Sequence, residues 1–319
     1  MSFTITLQMV FAHCIQFFGD LGKNQIAYHI SEYINLTTFS GFLFCFGYVS
    51  DLAYFGKEWR GCAGKILKNA LRLLVCFYIS SFCFGIFVEN IPLDREAVLE
   101  IFMLKRLAGY SEFLFSFALI MVLECILFPF FSRKWKWGGV FIIAMVAISI
   151  LTCFLPHREV GSIIGSLIGG VGGAYFPVIP YGIYFLAGIW FSRRQEKSKI
   201  IFSLACGGTI WHSIDYVLIS GGQPSRFPLS FSFLVGATLF IYLYYMLAKS
   251  LEEKANTLLG NYLECVGKNS LLYLLLSNFI IFSVTATQFY RKGLNYSIGM
   301  FFIILFVVWY LQRLCKVRK

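Results

Sequence analysis

Ten continuous apolar runs, each close to the length that crosses a bilayer, constrain this chain more than any other feature. They lie at about 2–19, 33–55, 70–88, 111–131, 139–155, 178–191, 200–220, 231–248, 271–287 and 296–312. A spanning helix needs about 20 mostly apolar residues. The runs are unbroken rather than alternating, so they are not strands of an outer-membrane barrel. Composition agrees: of 319 residues, 58% are apolar and only 13% charged, and the mean hydropathy is +0.73. A soluble domain is about a quarter charged. A water-soluble enzyme, a disordered tail and a nucleic-acid binder are therefore excluded. The net charge of +11 would point to nucleic acid only as a patch on a soluble face, and here the basic residues fall between the runs. The expected fold is all-α: one polytopic transmembrane helical bundle of about ten spans over 1–319, in the cell membrane. No connecting segment is long enough for a soluble domain. The first run has no basic leader or cleavage site and carries Gln8, His13 and Gln16, so it is not expected to be a cleaved signal.

Lys and Arg set the orientation. The loop at 57–72 holds five, 132–137 three, 192–199 four, 249–268 three and the tail from Arg313 four, nineteen in all. The alternate loops hold eight, including Arg158, Arg226, Arg291 and Lys292. The bias has one phase, which predicts an even number of spans with both termini cytoplasmic.

Ionisable groups inside spans are costly and are functional candidates by default. They are His13, Asp51, Glu124, His212 and Asp215. His13, His212 and Asp215 fall in outer halves of spans, and the last two are i, i+3 neighbours on one helix face. A His beside a carboxylate can act as a general base on a hydroxyl, and the competing reading is a polar helix-packing group. Asp51 and Glu124 lie near inner ends, where a solvated or salt-bridged role is expected. His29 and His157 are placed in outer loops. The ten Cys residues are scattered without a metal or disulfide spacing, which suits small packing residues. The Gly-rich stretch GSIIGSLIGGVGG at 161–173 lacks the Lys-Ser/Thr end of a phosphate loop and reads as flexible loop or close helix packing. The segment 94–107 reads as an amphipathic helix on the outer interface, with Val98, Leu99, Phe102 and Leu107 on one side.

Five strings carry a resemblance. TLQMVFAHCIQFFGD at 6–20 is an apolar run with His13 near its outer end. GFLFCFGYVS at 41–50, with Gly47 and Tyr48, is followed by a basic loop and KNALRLLVCFYIS at 68–80. SEFLFSFALIMVLECILFPF occupies 111–130, RFPLSFSFL 226–234 and GKNSLLYLLLSNFIIF 267–282. In order and spacing they resemble the acyltransferase-3 superfamily of membrane acyltransferases, including its heparan-α-glucosaminide acetyltransferase-like relatives. Three positions depart from that pattern. The Arg that often precedes the His is missing, Asn278 stands where a late His is common, and Leu229 replaces the second Pro of a Pro-Pro pair.

The resemblance implies transfer of an acyl group, usually acetyl, from acyl-CoA (acetyl-CoA) to a hydroxyl or amine of an envelope glycan, with no metal. It implies His13 as the catalytic base; His212 and Asp215, by their place in the outer half of a span, are expected to support it. Lys68, Arg72 and Arg60 in the basic loop would meet the donor phosphates, and Arg226, Ser270 and Asn278 the acceptor. The partners expected are membrane lipid and a glycan acceptor, without nucleic acid, and a homodimer is admitted. The alternative is a transporter or flippase for a glycan or lipid, using the same polar groups without acyl chemistry, or a non-catalytic membrane scaffold. Coenzyme A binding separates them.

Overall fold

The computed structural model describes residues 1–92, 94–107, 109–134, 136–156, 158–194, 198–252, 258–288, 290 and 292–317, the side chains of 252, 258, 259 and 315–317 excepted. His157 and Arg291 lie outside the described residues. In chain order the helices are α1 (Ser2–Phe18), α2 (Gln25–Ser50), α3 (Trp59–Phe87), α4 (Arg95–Phe102), α5 (Glu112–Phe131), α6 (Gly138–Thr152), α7 (Ser162–Ile168), α8 (Val178–Arg194), α9 (Lys199–Ile214), α10 (Phe231–Gly236), α11 (Thr238–Glu252), α12 (Leu258–Lys268), α13 (Ser270–Thr287) and α14 (Leu294–Val317). Two π-helical turns, Asp51–Phe55 and Asp215–Ile219, continue α2 and α9. No strand occurs among the described residues beyond an isolated bridge of Glu159 with Val171. Hydrocarbon offers no partner to a backbone N–H or C=O, and a helix satisfies both within itself.

All ten apolar runs are helical. Six stretches are long and apolar enough to cross a membrane: Gln25–Phe55, Trp59–Phe87, Glu112–Phe131, Phe231–Leu251, Ser270–Thr287 and Leu294–Leu314. Ser2–Phe18 and Gly138–Thr152 are shorter apolar helices. Large apolar side chains face outward along them, as at Leu71 (61% exposed), Ile126 (64%) and Phe302 (63%). In water such a surface would aggregate, and it marks a membrane protein.

Two helix starts differ from the sequence reading. α2 begins at Gln25, where Asn24 Oδ1 accepts from the Ala27 N–H at 3.0 Å, so His29 is an exposed helical residue rather than part of a loop. The basic stretch 57–72 is not a loop beyond Glu58. From Trp59 it forms the first turns of α3, because Lys and Arg are good helix formers and can stay solvated on a helix end. The Gly-rich stretch forms α7, with Gly165 against the Tyr175 ring, and then turns through Gly169 and Gly172 at φ of 91° and 100°. α4 is shorter than 94–107. Asp94 caps it, accepting from the Ala97 N–H, and Leu99 and Phe102 are exposed.

Contacts gather the chain into two units, Met1–Thr38 with Phe82–Leu93 and Tyr244–Lys319, and Phe39–Ser81 with Asp94–Leu243. In the first, α1 packs on α12, α13 and α14. Phe18 meets Tyr296 and Tyr290 edge-on at centroid distances of 5.6 and 5.4 Å, and Phe17 meets Phe282 at 5.6 Å. In the second, α8 packs on α6, and α9 on α10. Its close approach is between α2 and α8. A Cβ at Gly47 would sit 1.9 Å from the Phe185 carbonyl oxygen, and one at Gly188 would sit 2.1 Å from that of Phe44. Lipid is as apolar as Leu, so helices in a bilayer associate through such small-residue contacts rather than by hydrophobic expulsion.

Candidate functional site

The first unit holds the His that the sequence singled out. His13 is buried on α1, and its Nδ1 lies 2.6 Å from Asn278 Oδ1 on α13. A carbonyl oxygen only accepts, so Nδ1 carries the proton and the basic lone pair sits on Nε2. Asn278 is 1% exposed, so this hydrogen bond is shielded from competing water. One turn on, Gln16 Nε2 donates to Ser31 Oγ at 3.2 Å and Asn35 Oδ1 at 3.1 Å. Gln8 donates to the Tyr244 hydroxyl, which also bonds Tyr33. Ser270, at the start of α13, donates to the Gly267 carbonyl at 2.9 Å. A cavity of about 430 Å³ in this unit is lined by Phe87, Asn90, Thr285, Gln288, Tyr290 and Lys292, among others. Asn90 and Gln288 both hold left-handed backbones, at φ of 53° and 56°.

The second unit holds the other His. His212 Nδ1 donates to the Ser232 carbonyl at 2.9 Å, and Trp211 Nε1 donates to Ser232 Oγ at 2.9 Å. Asp215 opens the π turn and accepts from Ser220 Oγ at 2.7 Å. The i, i+3 spacing thus leaves each bonded to a Ser rather than to the other. Arg226 stacks over the rings of Phe176 and Phe227, 4.8 Å from each centroid. Its charge acts on Glu112 and Tyr110. Glu112 is buried at the head of α5, where Oε2 accepts from the Ser111 N–H at 3.0 Å. Burial pushes the Tyr110 hydroxyl up to about 12, with Glu112 adding to the rise and Arg226 opposing it.

Asp51 is fully buried and salt-bridged, one of the two roles expected. Arg133 Nη2 donates to Oδ2 at 2.5 Å, Arg193 Nε to Oδ1 at 2.8 Å and Ser192 Oγ to Oδ2 at 3.0 Å. Arg193 also donates to the Phe131 carbonyl. Glu124 corrects the expectation. It is 1% exposed and has no salt bridge among the described residues, and its Oε2 accepts from Ser50 Oγ at 3.0 Å. Arg60, Lys68 and Arg72 are exposed on α3, with Lys68 and Arg72 one turn apart.

No protein-family model, curated protein or solved structure matches this chain. Among the described residues no group of three or more His, Cys, Asp or Glu could hold a metal ion. The described cysteines are free. The sequence reading missed Glu112, which falls at the end of an apolar run. It also missed the pairing of His13 with Asn278. The one signal for that pairing was a polar amide, Asn278, deep in an apolar helix.

Proposed function

We propose that this protein is a polytopic membrane acyltransferase of the acyltransferase-3 type, with ten spans and both termini cytoplasmic, that moves an acyl group, acetyl by resemblance, from acyl-CoA to a hydroxyl or amine of an envelope glycan. The carrying observation is the buried His13–Asn278 hydrogen bond. Asn278 holds the ring with its proton on Nδ1, so Nε2 takes the proton of the acceptor hydroxyl. As it does, the oxygen attacks the thioester carbonyl. When the C–S bond breaks, the imidazolium returns that proton to the departing thiolate, giving an ester and free coenzyme A. An amide orients the ring but adds no charge to stabilise the imidazolium, so Asn278 does less than a carboxylate would. The polar and aromatic cavity within the same unit supports an acceptor rich in hydroxyls. Thr285 on its wall is seven residues from Asn278 along α13, about 10 Å at 1.5 Å per residue.

Arg60, Lys68 and Arg72 are placed as the donor's phosphate contacts, and Arg226 and Ser270 as acceptor contacts. His212 and Asp215 have lesser roles, since each is already held by a Ser. The test is acyl transfer by the purified protein from radiolabelled acetyl-CoA to an extracted envelope glycan. His13→Ala is expected to cost the 10²–10⁴-fold typical of a general base, with coenzyme A binding retained. Near-normal transfer by that variant refutes the role of His13. No coenzyme A binding by the wild type turns the reading to the transporter.

A further inference from the structure

The geometry points to Glu124 as a proton-binding site: a carboxylic acid that exchanges its proton through a small, half-open cavity. This inference is independent of acyl transfer, since it concerns the second unit and its readout involves no acyl donor.

Glu124 lies seven residues before the end of α5, and only 1% of it is exposed. Its Oε2 accepts from Ser50 Oγ, while Oε1 has no hydrogen-bond partner among the described residues. The side chain lines a cavity of about 60 Å³ walled by α5, α6 and α8. Apart from Glu124 and Ser149, the wall is aliphatic, aromatic or glycine, including Leu127, Met145, Val178 and Phe185. The space is large enough to admit water beside these two polar side chains.

The hydrogen-bond arithmetic identifies the occupant. The Ser149 hydroxyl hydrogen is committed to the Met145 carbonyl at 2.9 Å, so Ser149 offers the cavity only acceptor lone pairs. The Ser50 hydroxyl hydrogen is committed to Oε2. An ionised Glu124 would therefore put a bare negative charge among acceptors, in a site where an unpaired charge is costly. A proton on Oε1 supplies the donor that the cavity lacks. A metal ion does not fit, because hard cations take six or more oxygen ligands and this wall offers the oxygens of two side chains.

No described cation neutralises the group instead. Arg133 and Arg193 are bound to Asp51, the neighbour of Ser50. From the π turn, Tyr54 is close enough to sense the charge of Glu124, and its hydroxyl accepts from Asn69 Nδ2 at 3.2 Å. α6 and α8 bring no titratable group to the cavity wall. The exchange is a plain proton transfer: the carboxylic acid gives its proton to a cavity water and regains it from the next.

Infrared spectroscopy of the full-length protein in lipid tests this. At neutral pH the wild type should show a protonated-carboxyl C=O band that Glu124→Gln, an isosteric change, removes. The band should shift down in D₂O and vanish reversibly at alkaline pH. Ser149→Ala, which removes the acceptor, should keep the band and raise its frequency. If Glu124→Gln does not fold, Glu112→Gln decides, since the band and its D₂O and pH responses should survive that change, and their loss assigns the band to Glu112 and overturns the proposal. Loss of a carboxylate band instead of the acid band in Glu124→Gln overturns the protonation. A band insensitive to D₂O and pH overturns the exchange and leaves a sealed structural acid.

Discussion

Asp51→Asn removes the only negative charge from a site that holds two guanidinium groups and leaves the volume unchanged. Breaking a buried ion pair by deleting one partner costs about 3–5 kcal/mol, because the remaining charge stays uncompensated. Asp51 is 0% exposed, but the Arg133 side chain is 42% exposed and that of Arg193 21%, so both cations can keep some water. That argues for the lower end, about 3 kcal/mol, or a hundredfold in the folded population. At roughly 2–4 °C per kcal/mol, the midpoint of thermal unfolding should fall by roughly 6–12 °C. The assay is loss of the monodisperse peak on size-exclusion chromatography after heating in detergent. Asp20→Asn is the control. Its ion pair to Lys23 is 3.8 Å long with the Lys 85% exposed, and such a pair is worth about 0–1 kcal/mol. The double variant Asp51→Asn with Arg193→Gln should lose less than the sum of the singles, since the second change removes a charge the first left unpaired. A wild-type midpoint for Asp51→Asn, or strict additivity in the double variant, refutes the reasoning.

Gly47→Ala should separate α2 from α8, because the new Cβ has 1.9 Å to the Phe185 carbonyl oxygen. The expected loss is about 1–3 kcal/mol in the same heating assay, and an unchanged midpoint would contradict the close approach. Lys68→Gln and Arg72→Gln should each weaken coenzyme A binding by about tenfold, from lost charge-assisted bonds of roughly 1.5–3 kcal/mol. Lys57→Gln should do little, and equal effects at all three sites in a calorimetric titration would reduce the contact to a diffuse field. A single cysteine at position 134 in a Cys-free background should resist an impermeant maleimide added from outside, and labelling there would break the ten-span order.

The helices were legible because a bilayer asks one question of a segment: whether about 20 residues can be dry together. Every apolar run is helical, and six stretches are long and apolar enough to cross. Helix ends were less legible, since hydropathy measures the dry part and the backbone ladder continues past it. Gln25 to Glu32 and Trp59 to Asn69 remain helical without being apolar enough to be read as span. A similar edge effect hid Glu112, which falls where an apolar run is just beginning.

Pairings are a different kind of information from depth. A lone polar residue in an apolar run announces itself, and His13, Asp51 and Glu124 all did. What each one meets is decided by tertiary packing across long sequence separations: 265 residues from His13 to Asn278, 142 from Asp51 to Arg193 and 74 from Ser50 to Glu124. The outcome sets the chemistry. Asp51 meets two arginines and becomes a fixed charge that ties α8 and the α5–α6 turn to the π turn. Glu124, also near the inner end of an apolar run, meets a hydroxyl and an apolar wall. Two carboxylates that look alike in sequence therefore have opposite requirements. One has two guanidinium groups as partners. The other has acceptors around it, and a proton is the one small species that turns it into the donor they need.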